Sequence, residues 1–387
     1  MIASRPSDGK PRQDASTRAV KLARGGTAAI PEVPAIQRGR TACVAEGAQV
    51  GGHRLPAALW ARGPAEPWAG GLSGAGGRTS PDGAARVRQD GAMEIDDIGG
   101  RRPPAQAVDV PLDAHLHTNL SPDSAVPMEL YAAQAFERRI PEIALTDHLD
   151  FTPGAAAYEY ADYPRRERLV RELQERWNGR VRIRFGVELT YERRHESAIR
   201  EHLAMHRYDY AIGSVHTQSD GPYARDRIGS FMAGKTLAAA TEFYFSEVMG
   251  AVRSGLFDTL GHLDQCKRWL LPWFPVTAWA AAPELYEPIL VALAESGTAL
   301  EVNASGLRHP TGETYPAAWA VARFRELGGQ RVTTGSDAHL PESFAFGLDR
   351  ALEIIAAAGF SRLTLERAVD RGDLVLPDRF RGRTPAD

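Results

Sequence analysis

From residue 109 onward, short runs rich in Val, Ile, Leu and Thr recur along the chain, and most end in a residue able to hold a metal. The segments are DAHLH at 113–117, TDH at 146–148, GVE at 186–188, GSVH at 213–216, GHLD at 261–264, EVNASG at 301–306 and GSDAH at 335–339. Runs such as PEIALTDH, VRIRFGVE, YDYAIGSVH, FDTLGHLD, TALEVNAS and QRVTTGSDAH are too short for core helices and have the β-branched content of buried parallel strands. Between them, PRRERLVRELQERW at 164–177 and PELYEPILVALAESG at 283–297 carry helical spacing. The first begins at proline and the second ends at glycine, as helix boundaries do. Strand, ligand-bearing turn and helix thus repeat at intervals of 28 to 46 residues between motifs, which predicts an α/β chain of βα units. In a closed barrel of such units the site lies at the carboxyl ends of the strands, so the seven segments are expected to converge on one mouth.

Chemistry with adjacent divalent ions needs imidazoles and carboxylates brought from separate elements, because one loop rarely supplies enough donors. Six of the eleven histidines fall inside the seven segments. A pair such as His115 and His117 carries little information alone; the whole ordered set points to a metal-dependent hydrolase. His202 and His206 lie four apart and mimic a helical metal pair, but no glutamate follows His202 as a zinc-protease helix requires. HESAI at 195–199 lacks the second histidine. His53, His195, His202 and His206 are therefore expected at surface or core positions, and His309 is left unassigned.

Charge and composition divide the chain. Residues 1–108 carry 15 Lys+Arg against 10 Asp+Glu, whereas residues 109–387 carry 31 against 39. The first segment also holds 17 of the 37 glycines and 10 of the 26 prolines without a sustained apolar period. Such a composition cannot bury enough surface to offset chain entropy, so 1–108 is expected to be a disordered extension, either a linker or an over-extended start with the true start near Met93. It contains no apolar stretch long enough for a signal peptide, and no run in the chain approaches the ~18 apolar residues of a membrane helix. Cys43 and Cys266 give no disulfide framework and fit a reducing cytoplasm.

Residues 110–387 resemble the polymerase and histidinol phosphatase (PHP) superfamily, and within it the monofunctional histidinol-phosphate phosphatases. The motif order carries the resemblance, together with GLFDTLGHLDQCKR at 255–268, EVNASGLR at 301–308 and GSDAHLPESFAFGLDRA at 335–351. It implies a distorted (β/α)7 barrel over 109–387, holding three divalent metal ions, commonly zinc, manganese or iron. By the same resemblance His115, His117, Glu188 and Asp337 would hold one ion, and Glu188 would bridge to a second that also takes His216 and His262. Asp123, His148 and His339 would hold the third. Asp123 stands where some relatives use histidine, a change that keeps a suitable donor.

The expected reaction is direct hydrolysis of L-histidinol phosphate, a step of histidine biosynthesis, by a metal-activated hydroxide without a covalent phospho-enzyme. Asp264 and a metal-bound water are both candidate proton donors to the leaving group, and the sequence does not choose between them. Arg268 is the first choice to grip phosphate and assist catalysis, with Lys267 and Arg308 behind it. Asp113 and Asp147 are expected to orient ligating imidazoles. The segment 150–163 supplies Asp150, Phe151, Tyr158, Glu159, Tyr160, Asp162 and Tyr163 as acidic and aromatic neighbours for the amine and imidazole of the substrate. The rival readings are another PHP phosphoesterase acting on nucleotides or nucleic-acid ends, and a non-catalytic metal-stabilised binding module. The net acidic body disfavours a nucleic-acid groove, which wants basic charge. The retention of every expected ligand disfavours a mere binding module. The partner is thus expected to be a small phosphate ester, with no membrane and with the oligomeric state left open.

Overall fold

The computed structural model describes residues 109–158, 162–216, 221–224, 226–365 and 374–380. The expectation for residues 1–108, with His53 in it, lies outside the described residues, as do Glu159 and Tyr160.

Strands and helices follow in the predicted alternation: β1 (Leu112–Leu116), α1 (Met128–Arg138), β2 (Glu142–Leu145), β3 (His148–Leu149), α2 (Tyr163–Trp177), β4 (Arg182–Thr190), α3 (Glu196–Met205) and β5 (Tyr210–Ser214). There follow α4 (Ile228–Met232), α5 (Leu237–Ser254), β6 (Thr259–Leu260), α6 (Lys267–Leu270), α7 (Val276–Ala280), α8 (Glu287–Ser296), β7 (Ala299–Asn303), α9 (Ala318–Glu326), β8 (Val332–Gly335) and α10 (Leu348–Ala357). A small antiparallel pair, β9 (Arg362–Leu363) and β10 (Leu374–Val375), lies near the end.

The main sheet runs β1-β2-β4-β5-β6-β7-β8, every pair parallel. Beyond β8 it closes on β1: Leu116 bridges Ala338, the His117 N–H donates to the Ala338 carbonyl at 3.0 Å, and the Asp337 N–H donates to the His115 carbonyl at 2.9 Å. The result is the expected seven-stranded circuit. β3 is the resumption of β2 after Thr146 and Asp147, and it pairs with β4 in the register His148 to Glu188. Strands β1, β2, β5, β7 and β8 are buried at every residue, as parallel strands covered on both faces are, and their few polar residues, among them Asp113, His115 and Glu301, are buried with them.

The two helices expected from spacing are present, with one difference. In α2, the Asp162 carboxylate accepts the Arg165 N–H, and Pro164 occupies the first turn. The second is broken: a 3-10 turn covers Pro283–Leu285, and α8 begins afresh at Glu287 with Pro288 in its first turn. That proline has no N–H to continue the upstream ladder, so the helix restarts there. Gly297 ends α8 with a φ of 70°, a left-handed cap that glycine adopts without strain.

Candidate metal centre

Every segment singled out from the sequence delivers side chains to the carboxyl end of the barrel. His115 and His117 stand two apart at the end of β1 and so share a face. Asp123 comes from the following turn, where it accepts the Ser121 hydroxyl at 2.9 Å. His148 opens β3, Glu188 lies near the end of β4, and His216 and His262 each sit two residues beyond β5 and β6. Asp337 and His339 follow β8.

The imidazoles of His115, His117, His148, His216 and His262 form a closed circuit, with successive ring centroids 5.1, 4.3, 5.1, 5.1 and 5.9 Å apart. Glu188 sits inside it. Its Oε2 is 2.9 Å from His148 Nδ1, 3.3 Å from His115 Nε2 and 3.4 Å from His117 Nε2. Its Oε1 is 2.9 Å from His262 Nε2 and 3.3 Å from His216 Nε2. Asp337 Oδ1 lies 3.4 Å from His117 Nε2 and 3.8 Å from His115 Nε2. On the outer side Asp123 Oδ2 lies 3.1 Å from His148 Nε2 and 3.0 Å from His339 Nε2. Donor atoms gather into three sets: His117, Asp123, His148 and His339; His115, His117 and Glu188; and His148, Glu188 and His216. The sets overlap, since His117 and His148 each reach two of them.

Whether divalent cations fit is answered by atoms left without partners. His115 Nε2, both ring nitrogens of His117, His262 Nδ1 and Glu188 Oε2 are buried and make no hydrogen bond. An unpaired buried polar atom costs about 1–3 kcal/mol, so several in one cluster mark a place built for something that binds lone pairs. Mixed imidazole and carboxylate donors suit zinc, manganese and iron. The electrostatics agree. Burial works to lower the His115 pKa, yet the charges of Glu301, Glu188 and Asp337 hold it well above the usual histidine range. His148 is raised in the same way, against burial, by Glu188 and Asp123. His117 goes the other way, lowered to about 3 by burial and by the neighbouring His339 and His148, so it stays neutral with a lone pair available. Against burial, the carboxylates raise His262 and His339 as well, so the cluster has an excess of negative charge that bound cations would offset.

Around these side chains lies a layer of hydrogen bonds. Thr190 Oγ1 meets His216 Nδ1 at 2.8 Å. Asp147 accepts the Thr118 N–H at 2.5 Å and hydroxyl at 3.0 Å, and buried Arg166 lies beside it. Asp113 accepts the Ser336 N–H at 2.8 Å and its hydroxyl at 2.6 Å. The two aspartates therefore fasten the loops that carry His117 and Asp337, and neither hydrogen-bonds a ligating ring, contrary to expectation. Glu301 does so, and sequence reasoning passed over it: its Oε1 is 2.7 Å from His115 Nδ1. The available signal was a carboxylate inside the apolar run TALEVN.

The expected phosphate cations divide. Lys267 is fully buried, its ammonium 2.7 Å from Asp264 and 2.6 Å from Glu313. Burial opposes its charge, but Asp264 and Glu313 keep its pKa above the ordinary lysine value. Asp264 also accepts the Tyr286 hydroxyl at 2.8 Å. The two residues expected to donate a proton and to grip phosphate are thus engaged with each other, because at i and i+3 in one turn a carboxylate and an ammonium meet. Arg308 donates to the carbonyls of Ser336 at 2.8 Å and Asp337 at 2.9 Å, and its guanidinium lies over Phe346. Arg268 alone of the three is exposed, stacked 5.5 Å over Trp269 and without an ion pair among the described residues. His202 and His206 pack on each other, on Tyr163, Tyr208 and Phe151, apart from the five-ring circuit. His195 lies half-buried beside Glu192, and His309 meets the Tyr315 hydroxyl at 3.2 Å. Asp150 bridges Tyr158 in the backbone, Phe151 packs on the core, and Tyr163 bonds Arg207.

Comparison with known proteins places this geometry. The sequence profile of the PHP domain matches residues 113–305. A probable histidinol-phosphatase of Deinococcus radiodurans is 31% identical over 262 residues, covering 65% of this chain and 95% of that protein. The histidinol-phosphatase of Lactococcus lactis is 26% identical, over 65% of this chain and 93% of its own length. The crystal structure of the Lactococcus lactis histidinol phosphate phosphatase complexed with zinc, L-histidinol and phosphate is similar with a TM-score of 0.57 and 26% identity, covering 66% of this chain and 96% of that one. Among the described residues no helix is long and apolar enough to cross a membrane.

Proposed function

This chain belongs to the PHP domain family, and we propose that its substrate is L-histidinol phosphate, which it hydrolyses to L-histidinol and inorganic phosphate. It is a divalent-metal-dependent phosphatase. The observation that carries the reading is the circuit of five imidazoles closed around the buried Glu188 carboxylate, in which His115 Nε2 and both His117 ring nitrogens make no hydrogen bond. The substrate follows from the relatives, whose full length this chain nearly spans and one of which is complexed with L-histidinol and phosphate.

We assign three ions, of zinc, manganese or iron, to the ligands. His115, His117, Asp337 and Glu188 hold one; Glu188, His216 and His262 hold the second; Asp123, His148 and His339 hold the third. When bound, the ions supply Lewis acidity at the phosphate and a hydrolytic water acidified toward about pKa 7. The chain does the rest by positioning. Thr190 fixes the His216 ring through Nδ1, leaving Nε2 toward Glu188. Arg308 clamps the backbone of Asp337. Arg268, exposed and unpaired among the described residues, is the guanidinium left to meet phosphate oxygens. Asp264 is held by Lys267 and Tyr286, so the leaving alkoxide takes its proton from water. Turnover does not need residues 1–108.

The test is phosphate release from L-histidinol phosphate against nucleotides, sugar phosphates and short DNA, with zinc or manganese restored after chelation. Preference for histidinol phosphate that disappears on chelation supports the reading, and preference for nucleotides or DNA overturns the substrate assignment. A chain lacking residues 1–92 is expected to turn over at the full rate.

A further inference from the structure

Three donors converge on one buried carboxylate beneath the metal centre. Glu301 Oε1 lies 2.7 Å from His115 Nδ1, while Oε2 accepts the His262 backbone N–H at 2.7 Å and the Asn303 side-chain amide at 3.1 Å. Glu301, His115 and Asn303 are fully buried, and His262 nearly so. The orientation of the Asn303 amide is fixed independently, because its Oδ1 accepts the Ser305 N–H at 2.9 Å and hydroxyl at 2.6 Å. Its Nδ2 is therefore a donor, to Glu301 and to Asp337 Oδ2 at 3.3 Å. A backbone N–H and a fixed amide N–H both point at Glu301, so the group must be an acceptor on that side, and as a carboxylate it is an acceptor on the His115 side too.

We infer that Glu301 is a positioning residue of the metal centre: by accepting from Nδ1–H of His115 it selects the tautomer with its lone pair at Nε2, and by holding the His262 backbone it sets a ligand on the adjacent strand. His115 Nε2 is the atom turned toward Glu188 and Asp337, and it makes no hydrogen bond. The same carboxylate thus couples ligands from β1 and β6 through β7. A carboxylate behind a ligating imidazole also raises its basicity, and loss of such a partner typically lowers metal affinity about 10–100-fold.

The inference rests on the ligand assignment proposed above. Glu301→Gln makes the sharpest test, since it preserves size but offers one acceptor and one NH2 where every neighbour is a donor. If the amide NH2 faces His115, it forces the tautomer whose proton occupies Nε2. Zinc would be titrated into the chelated full chain against a chromophoric competitor, with circular dichroism to establish folding and His115→Ala in parallel. The expected result is a folded Glu301→Gln protein that loses affinity about 10–100-fold at one class of site and keeps the others. Unchanged affinity in folded Glu301→Gln, where His115→Ala does lose zinc, overturns the role of Glu301 alone. Unchanged affinity in His115→Ala overturns the ligand assignment instead. If Glu301→Gln does not fold, 15N NMR of the zinc-loaded unmutated chain decides: a proton on His115 Nδ1 supports the inference, and a proton on Nε2 overturns it.

Discussion

Asp337 and His115 are tied twice, the Asp337 N–H donating to the His115 carbonyl at 2.9 Å while Asp337 Oδ1 faces His115 Nε2 at 3.8 Å. The contact that closes the barrel is also a contact of the metal centre. Asp337 holds a φ of 54°, a left-handed backbone rare for a non-glycine residue, at the place where a carboxylate must be aimed.

Asparagine tolerates that backbone, so Asp337→Asn removes charge with little added strain. Turnover should fall at least about a hundredfold, as should that of His216→Ala, with unchanged circular dichroism and reduced zinc content by atomic absorption. Near-normal turnover in either variant would sink the ligand assignment.

Gly335 precedes the ligand loop at a point of close approach. A Cβ there would come within 2.2 Å of His115 Cβ and 2.9 Å of Glu301 Oε1. Gly335→Ala should therefore cost about 1–3 kcal/mol and displace His115, seen as a lower unfolding temperature together with weaker zinc retention. A variant with unaltered unfolding and full metal content would contradict the packing described.

Lys267 and Arg268 adjoin in sequence, yet their substitutions should be felt differently. Lys267→Met strands Asp264 as a buried carboxylate without its cation, expected to cost about 3–5 kcal/mol in urea unfolding. Arg268→Ala should leave unfolding unchanged and raise KM for the phosphate ester. The reverse pattern would return Lys267 to the substrate.

His202, half-buried against His206, Phe151 and Tyr208 and near Arg166, has its pKa lowered to about 4 by burial, then by His206 and Arg166. The unfolded chain takes up a proton at this residue near pH 6.5, before the folded one does, so the penalty is absent above about pH 6.5, grows as pH falls and is complete below about 4. Urea midpoints of chelated protein should fall through that window more steeply than those of His202→Gln. Parallel curves for the two proteins would refute the assignment.

The repeat of apolar run, ligand and helix made the barrel legible, because strands covered on both faces leave a mainly apolar, β-branched trace while their ends carry most of the polar chemistry. His115, His117, Asp123, His148, Glu188, His216, His262, Asp337 and His339 could be read for the same reason, and all nine meet at one end. Glu301 was harder to see, since its function depends on a neighbour 186 residues away in sequence. The cations were harder to rank. An arginine or lysine carries the same charge whether it faces a phosphate, a carboxylate or a carbonyl, and only packing separates Arg268 from Lys267 and Arg308. The break before α8 was visible in Pro288, although helical spacing continued across it.

Closure of the sheet between its first and last main strands sets an order of events during synthesis. His115 is made 222 residues before Asp337. At about 5–20 residues per second, β1 waits on the order of ten to forty-five seconds for the strand that covers its edge. Until then the seven candidate ligands already made, His115 through His262, lie on an open sheet whose unpaired edge invites association with other chains. The proposed centre is therefore complete only once the last main strand has been made, and an ion held there would tie β1 to the segment that follows β8.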